Sequence, residues 1–229
     1  MKHRFFAAEP IEIGATVALS SEERHHARVL RVGEGEEVEL FDTQGNNYVG
    51  RFQSEGAIAV LQRAANREPR AAIHLAMSVI QLDKFEMVLQ KATELGVQSF
   101  IPLITERMEV RIERARGKEE RWRKIVLEAV KQSGRSRIPT IEPPTRFEEA
   151  IARQGTKIVF DADTEPSETQ QPSNPATLCI GPEGGFTERE LQVAAANGAI
   201  FQRLGPRRLR AETAALAAVT LISARGGDI

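Results

Sequence analysis

The amino-acid sequence predicts an α/β protein preceded by a small β-rich unit, and three observations carry that prediction. Strand-forming runs crowd the first 66 residues, strand and helix patterns alternate from residue 73 onward, and two Gly-Pro loops follow successive strands near the end. In the first unit, Ser20-Ser21-Glu22-Glu23 has the form of a capping box and opens a short helix through Val29 and Leu30. EEVELFD and NNYVGRF flank the turn Thr43-Gln44-Gly45-Asn46, and AIAVLQR adds a third strand, so the unit reads as a small barrel with one helix. The polar segment Arg63–Arg70 contains Pro69 and puts a domain boundary near residue 70.

The rest alternates. IHLAMSVI (73–80) is a buried strand, and KFEMVLQKATELG is a helix with Phe85, Val88, Leu89, Ala92 and Leu95 on one face and Gly96 as its stop. VQSFIPLI is the next strand. A helix near 118–133 buries Trp122, Ile125, Val126, Ala129 and Val130 and feeds into the basic loop SGRSRIP. TKIVFDAD, the Pro/Ser/Gln-rich loop 164–176 and the strand Leu178-Cys179-Ile180 follow, then GPEGGF and a helix opened by Thr187-Glu188-Arg189-Glu190. The last unit is AIFQRL, GPRRLRAE and the alanine-rich TAALAAVTLISAR, closed by Gly226-Gly227. Such alternation predicts a mainly parallel sheet covered by helices.

Composition narrows the function. Of 229 residues, 31 are Lys or Arg and 32 Asp or Glu, so a net charge of −1 excludes holding nucleic acid by bulk charge alone. Any such site is a local patch. Residues 107–137 carry eleven Lys/Arg against five Asp/Glu, 138–200 carry four against ten, and 201–229 five against two. The middle cluster suits either an anion-binding surface or a solvated helix face with pairs such as Arg116 with Glu120. A single cysteine, Cys179, excludes an intramolecular disulfide framework, and four scattered histidines without cysteine partners argue against a zinc site, so no metal is expected. No apolar run suits a signal peptide or a membrane helix, and a cytoplasmic protein without a membrane partner is expected.

The chemistry concentrates in the last quarter, because ligands of open α/β sheets lie beside the carboxyl ends of strands. In GPEGG, Gly184 and Gly185 let backbone approach a ligand and Pro182 stiffens the entry. The loop is neither GxGxxG nor a Walker loop, which disfavours NAD and nucleoside triphosphates; a ligand-free turn accounts for most isolated Gly-Gly pairs. In the second loop Arg207, Arg208 and Arg210 precede an apolar helix, at the end where the macrodipole disfavours cations. An anionic ligand explains them, and so does pairing with Glu183 or Glu212. No Ser-His-Asp set is legible, Cys179 reads as an inert core thiol, and Glu86 and Glu94 read as solvated helix charges. His25 and His26 read as surface or domain-packing residues that, with Arg24, Arg28 and Arg31, are able to touch RNA.

Taken together, RHHARVLRVGEGEEVELFD, KFEMVLQKATELGV (84–97), RWRKIVLEAVKQSGRSRIP (121–139), IGPEGGFTEREL (180–191) and LGPRRLRAETAAL (204–216) resemble the RsmE family of 16S ribosomal RNA uridine-N3 methyltransferases, in the SPOUT superfamily of knotted methyltransferases. The resemblance runs the length of the chain. It implies a PUA-like β-barrel RNA-binding domain over 1–70, a trefoil-knotted methyltransferase domain over 71–229, S-adenosylmethionine as methyl donor, 16S rRNA in the 30S subunit as substrate, and a homodimer. It places Gly181, Pro182, Glu183, Gly184, Gly185, Leu204, Gly205 and Leu209 around the cofactor and Arg210 at the reacting base. RNA docking is expected from Arg24, His26, Arg28, Arg31, Arg135, Arg137 and the basic face of 107–124. Two positions depart from the family pattern, which has an aliphatic residue at Arg208 and threonine at Ala211. The Asp161-Ala162-Asp163 loop also differs and receives no role. The C-terminal loops by themselves also suit a knotted methyltransferase acting on another RNA, a non-catalytic RNA-binding assembly factor, or an enzyme cradling a phosphorylated metabolite.

Overall fold

A computed structural model describes residues 3–110, 113, 115, 117–167 and 174–229. The chain divides into two units, Met1–Glu68 with Val130–Ile138, and Pro69–Ala129 with Pro139–Ile229.

The first unit contains β1 (Arg4–Ala7), β2 (Thr16–Ala18), α1 (Ser21–Val29), β3 (Glu37–Asp42), β4 (Asn47–Phe52) and β5 (Ala57–Arg63). Its sheet runs β1-β3-β4-β5-β2, antiparallel except where β1 lies parallel to β3. The hairpin between β3 and β4 closes on Asp42, whose Oδ1 accepts from the backbone N–H of Gln44 (3.0 Å) and Asn46 (2.9 Å), while Gly45 supplies the positive φ of the turn. Ser20 caps α1 by accepting from the Glu23 N–H. Phe5, Leu40, Tyr48 and Ile58 fill the core, which Ala27 of α1 also enters.

Residues 130–138 are held in this unit by ionic contacts. The Arg135 guanidinium donates from Nε (3.2 Å) and Nη2 (2.8 Å) to Glu68 Oε2, and Glu68 Oε1 accepts the backbone N–H of Ser136 (2.7 Å) and Arg137 (2.9 Å). Lys131 pairs with Glu23, and Arg4 Nη2 donates to the Arg135 carbonyl at 2.9 Å. Burial alone would raise the Glu68 carboxyl, but the guanidinium and the two amides outweigh it and hold it below its ordinary value.

The second unit contains β6 (Ile73–Ser78), α2 (Leu82–Glu94), β7 (Ser99–Ile104), most of α3 (Glu119–Ser133), β8 (Thr140–Ile141), β9 (Thr145–Arg146), α4 (Phe147–Ile151), β10 (Thr156–Phe160), β11 (Ala176–Ile180), α5 (Glu188–Ala196), β12 (Ile200–Gln202) and α6 (Ala211–Arg225). The sheet order is β12-β10-β11-β6-β7-β8, with β9 also on β7, and every pairing is parallel. Alternate side chains of the strands enter two cores, as pleating requires. Leu75, Met77, Ile158 and Leu178 join α2, α3 and α6, whereas Ala76, Val159 and Cys179 join α4 and α5. Thr187 caps α5 through a complete capping box with Glu190. No helix among the described residues is long and apolar enough to cross a membrane.

Candidate cofactor and active site

The carboxyl ends of three neighbouring strands, β12, β10 and β11, surround one cavity of about 480 Å³. That volume lies in the range of small-molecule sites, roughly 300–1,000 Å³. Three loops build it: 161–163 after β10, 181–186 after β11 and 204–210 after β12, with Ala211 and Ala214 of α6 beneath. Every residue that the sequence assigned to the cofactor lines this cavity: Gly181, Pro182, Glu183, Gly184, Gly185, Leu204, Gly205 and Leu209. Arg210, the expected base-facing residue, lines it too. Their convergence is a product of parallel strand order, since loops far apart in sequence leave adjacent strands on the same edge.

The glycine loop is shaped by backbone. Gly185 has φ +68°, and its N–H donates to the Pro182 carbonyl at 2.9 Å. A Cβ on Gly181 would sit 3.3 Å from the Gly185 carbonyl carbon and the Phe186 ring, so the loop packs against itself there. Phe160, Ile180 and Phe186 give the cavity an apolar lining. Four arginines (107, 207, 208, 210) and three carboxylates (Asp161, Asp163, Glu183) share it. An apolar lining, exposed peptide backbone and charges of both signs suit a small ligand that has both an apolar part and charged groups.

Not all of those charges are available. Arg208 Nη2 donates to both Asp163 oxygens at 2.8 and 2.7 Å, linking the loops after β12 and β10. Among the described residues Arg208 is thus the one loop arginine in an ion pair, and its acid is Asp163 and neither Glu183 nor Glu212. Asp161 Oδ1 accepts from the N–H groups of Asp163 and Thr164 and the Thr164 hydroxyl, which gives the 161–163 loop a definite role in shaping the cavity. Arg207 and Arg210 have no ion-pair partner among the described residues. Cys179 is wholly buried and its thiol is pushed up to about 12 by desolvation. It is not a nucleophile.

Sequence reasoning missed Arg107, Phe160, Phe186 and Ala214 as cavity residues. TKIVFDAD already held one available signal, because its strand has a carboxyl end like those of the two Gly-Pro strands. Arg107 came from a strand outside the three and had no such signal.

The expected RNA residues of the first unit divide. Arg24 and Arg28 stand one turn apart on the exposed side of α1, and Arg31 follows the helix end. His26 is half-buried with its ring edge-on to Phe5, and Arg137 is exposed with its stem over Gly45. Arg135 departs from expectation: only 3% exposed and bound to Glu68, it braces the fold and presents no cation to RNA. The expected basic face of 107–124 is described only in part. Arg111, Arg114 and Arg116, with its suggested pairing to Glu120, lie outside the described residues; Arg121 forms a bidentate pair with Glu86, and Lys124 pairs with Glu120. Glu86 and Glu94 are thus engaged, the latter by Lys91. No cluster of His, Cys, Asp and Glu among the described residues could hold a metal ion.

The family described as RNA methyltransferase domain matches residues 66–223, and the RNA methyltransferase PUA domain matches 19–61. Ribosomal RNA small subunit methyltransferase E of Aquifex aeolicus is 31% identical over 96% of this chain and 98% of its own length. The protein of the same name from Bacillus subtilis is 30% identical, over 94% and 92%. A crystal structure of ribosomal RNA small subunit methyltransferase E from Neisseria gonorrhoeae bound to S-adenosyl methionine superposes with a TM-score of 0.90 at 33% identity, covering 98% of each chain. The fold is thus a mixed α/β methyltransferase fold with a PUA-like N-terminal domain. On this coverage and identity the chain belongs to the RsmE family of small-subunit ribosomal RNA methyltransferases.

Proposed function

We propose that the protein transfers a methyl group from S-adenosylmethionine to N3 of a uridine in 16S rRNA, with the assembled 30S subunit as substrate. The observation that carries this is the cavity at the carboxyl ends of β12, β10 and β11, where both Gly-Pro loops converge in a chain of this family. Its residues fit the cofactor chemically: glycine backbone and apolar side chains for an adenosine, arginines for a carboxylate, and acidic groups for ribose hydroxyls or a sulfonium. When bound, S-adenosylmethionine supplies a methyl group activated by its positively charged sulfur.

The chain's own residues then have three tasks. Gly181–Gly185, Leu204, Gly205 and Leu209 orient the donor, holding reactants in line. Arg210, exposed at the N-cap of α6 without an ion-pair partner among the described residues, stabilises the uracil anion left when the N3 proton departs. It acts by charge, because a guanidinium stays protonated and cannot accept that proton. Arg24, His26, Arg28, Arg31 and Arg137 of the PUA-like unit dock RNA by phosphate contacts, which position the substrate without reading sequence.

The finer architecture of this proposal follows the family. Residues 71–129 and 139–229 form a trefoil-knotted domain, 1–70 with the 130–138 segment an RNA-binding domain, and the protein acts in the cytoplasm as a homodimer. The outward side of α6 supports the dimer: Leu216, Ala217 and Leu221 remain half-exposed on a helix that is apolar nearly all round. Sedimentation analysis of the purified protein tests it.

The deciding experiment incubates the protein and Arg210→Ala with radiolabelled S-adenosylmethionine and unmethylated 30S subunits, naked 16S RNA, 50S subunits or tRNA. Mass spectrometry identifies the product nucleoside. N3-methyluridine from 30S subunits is expected, and its loss in Arg210→Ala. Cofactor binding without product on any RNA would replace this reading by a non-catalytic assembly factor. Full turnover by Arg210→Ala at saturating substrates would remove that residue's role.

A further inference from the structure

We infer that Arg107 is a positioning residue for the cofactor site: its guanidinium holds the backbone of the glycine loop in the conformation that lines the cavity. The inference deepens the proposed function and rests on it for the identity of the ligand. Arg107 follows β7, which is not among the three strands whose ends build the cavity, yet it lines that cavity. Its Nη1 donates to the carbonyl oxygens of Gly184 (3.0 Å) and Phe186 (3.2 Å). These carbonyls flank Gly185, the residue with positive φ. With both held by one guanidinium, the loop cannot turn them into the cavity, where they would repel a carboxylate or compete for its donors.

Packing reinforces the clamp. A Cβ on Gly184 would lie 3.3 Å from Arg107 Cβ and 3.5 Å from its Cδ, so the stem lies against bare backbone. The base of the arginine is itself fixed. The neighbouring Glu106 N–H donates to Glu190 Oε1 at 3.0 Å, and the other oxygen of that buried carboxylate accepts the Thr187 N–H at 2.8 Å. The Glu106 side chain also pairs with Arg189. The β7 loop, the start of α5 and the glycine loop therefore form one closed set of contacts. This takes Arg107 out of the RNA-facing cations of 107–124 and gives it to the donor side of the reaction.

The test compares the full-length protein with Arg107→Ala, Arg107→Met and Arg107→Lys. Three quantities are read: hydrogen exchange of the 181–187 backbone without ligand, the Kd for S-adenosylmethionine by calorimetry, and KM for RNA. Ala and Met, the latter keeping much of the stem, are expected to speed exchange and raise Kd by about tenfold, as for lost charge-assisted hydrogen bonds. KM for RNA stays within about twofold, because phosphate contacts lie elsewhere. Lys recovers most of both effects, since an ammonium can donate to both carbonyls. Unchanged exchange in Arg107→Ala overturns the clamp. A raised KM for RNA with unchanged Kd makes Arg107 an RNA contact and overturns it equally. A wild-type protein that binds no S-adenosylmethionine overturns the cofactor role through the proposed function, while the exchange data still report on the clamp itself.

Discussion

Gly185→Ala separates a backbone cost from a packing cost at the cofactor site. The φ of +68° costs an L side chain roughly 1–2 kcal/mol, while space is open: the nearest atom to an added Cβ is Asp161 Oδ2 at 4.0 Å. The penalty is therefore all conformational, and it has two places to appear. If the ligand-free loop already holds this φ, the variant loses about 1–2 kcal/mol of stability and keeps its cofactor affinity. If the free loop relaxes, stability is spared and Kd for S-adenosylmethionine rises about five- to thirtyfold. The two changes together make up the same total. Urea unfolding of the ligand-free protein and calorimetric titration measure them separately. Gly181→Ala is the contrast, acting by crowding against the Gly185 carbonyl carbon and the Phe186 ring at 3.3 Å without positive φ. A Gly185→Ala protein with stability and affinity both within about 0.5 kcal/mol of wild type, the spread of neutral surface changes, would refute the assignment of strain to this residue.

Glu68→Gln breaks a buried pair and is expected to cost about 3–5 kcal/mol in urea unfolding, since Arg135 is left charged and buried; a change under about 1 kcal/mol would contradict that. Because the Glu68 carboxyl is held below its unfolded value, its contribution is complete above the ordinary carboxylate range and disappears as pH falls through its folded value. Unfolding measured down an acid series should therefore show a shallower loss in Glu68→Gln than in wild type. Cys179 is expected to resist iodoacetamide until the protein unfolds, and native labelling at the unfolded rate would disprove its burial. Asp163→Asn removes an exposed ion pair worth about 0.2–1 kcal/mol, so the Kd for S-adenosylmethionine should move less than about fivefold; a larger rise would give the pair a part in holding the ligand. Arg24→Ala with Arg28→Ala should flatten the slope of log K for RNA against log salt by about 1–2, and an unchanged slope would remove α1 from the RNA surface.

Local signals in the sequence were sufficient for most elements. Ser20 and Thr187 cap the helices they were expected to open, and the helix expected over 84–96 is α2 at Leu82–Glu94. Gly134, with φ +83°, follows the end of α3. The strands that escaped notice, β1, β2, β8 and β9, are two to four residues long, too short for a period to register. Their partners also lie far away in sequence: β1 pairs with β3 in parallel, without a hairpin turn to announce it. At the site, both Gly-Pro loops were legible because glycine, proline and a misplaced run of arginines break local rules. Arg107 breaks none, and its role depends on which carbonyls the fold brings to it. Arg135 erred in the opposite direction. It stands in a basic loop like a surface cation, and only its meeting with Glu68, 67 positions earlier, buries it.

The interleaving of the two units bears on how the chain is made. The PUA-like unit includes Val130–Ile138, which leave the ribosome only after Pro69–Ala129 have been synthesised. Until then Glu23 lacks Lys131, and Glu68 lacks both Arg135 and the two amides that bind it. Although it is encoded first, the N-terminal unit is thus unable to finish before much of the second has emerged, contrary to the usual order in which domains fold as they are translated. A nascent chain stalled just past residue 68 would contain all five strands of the sheet yet expose carboxylates that lack their partners, whereas one extended past residue 138 could close the unit. Synthesis of this protein therefore has a late commitment point, set by a nine-residue segment rather than by a domain boundary.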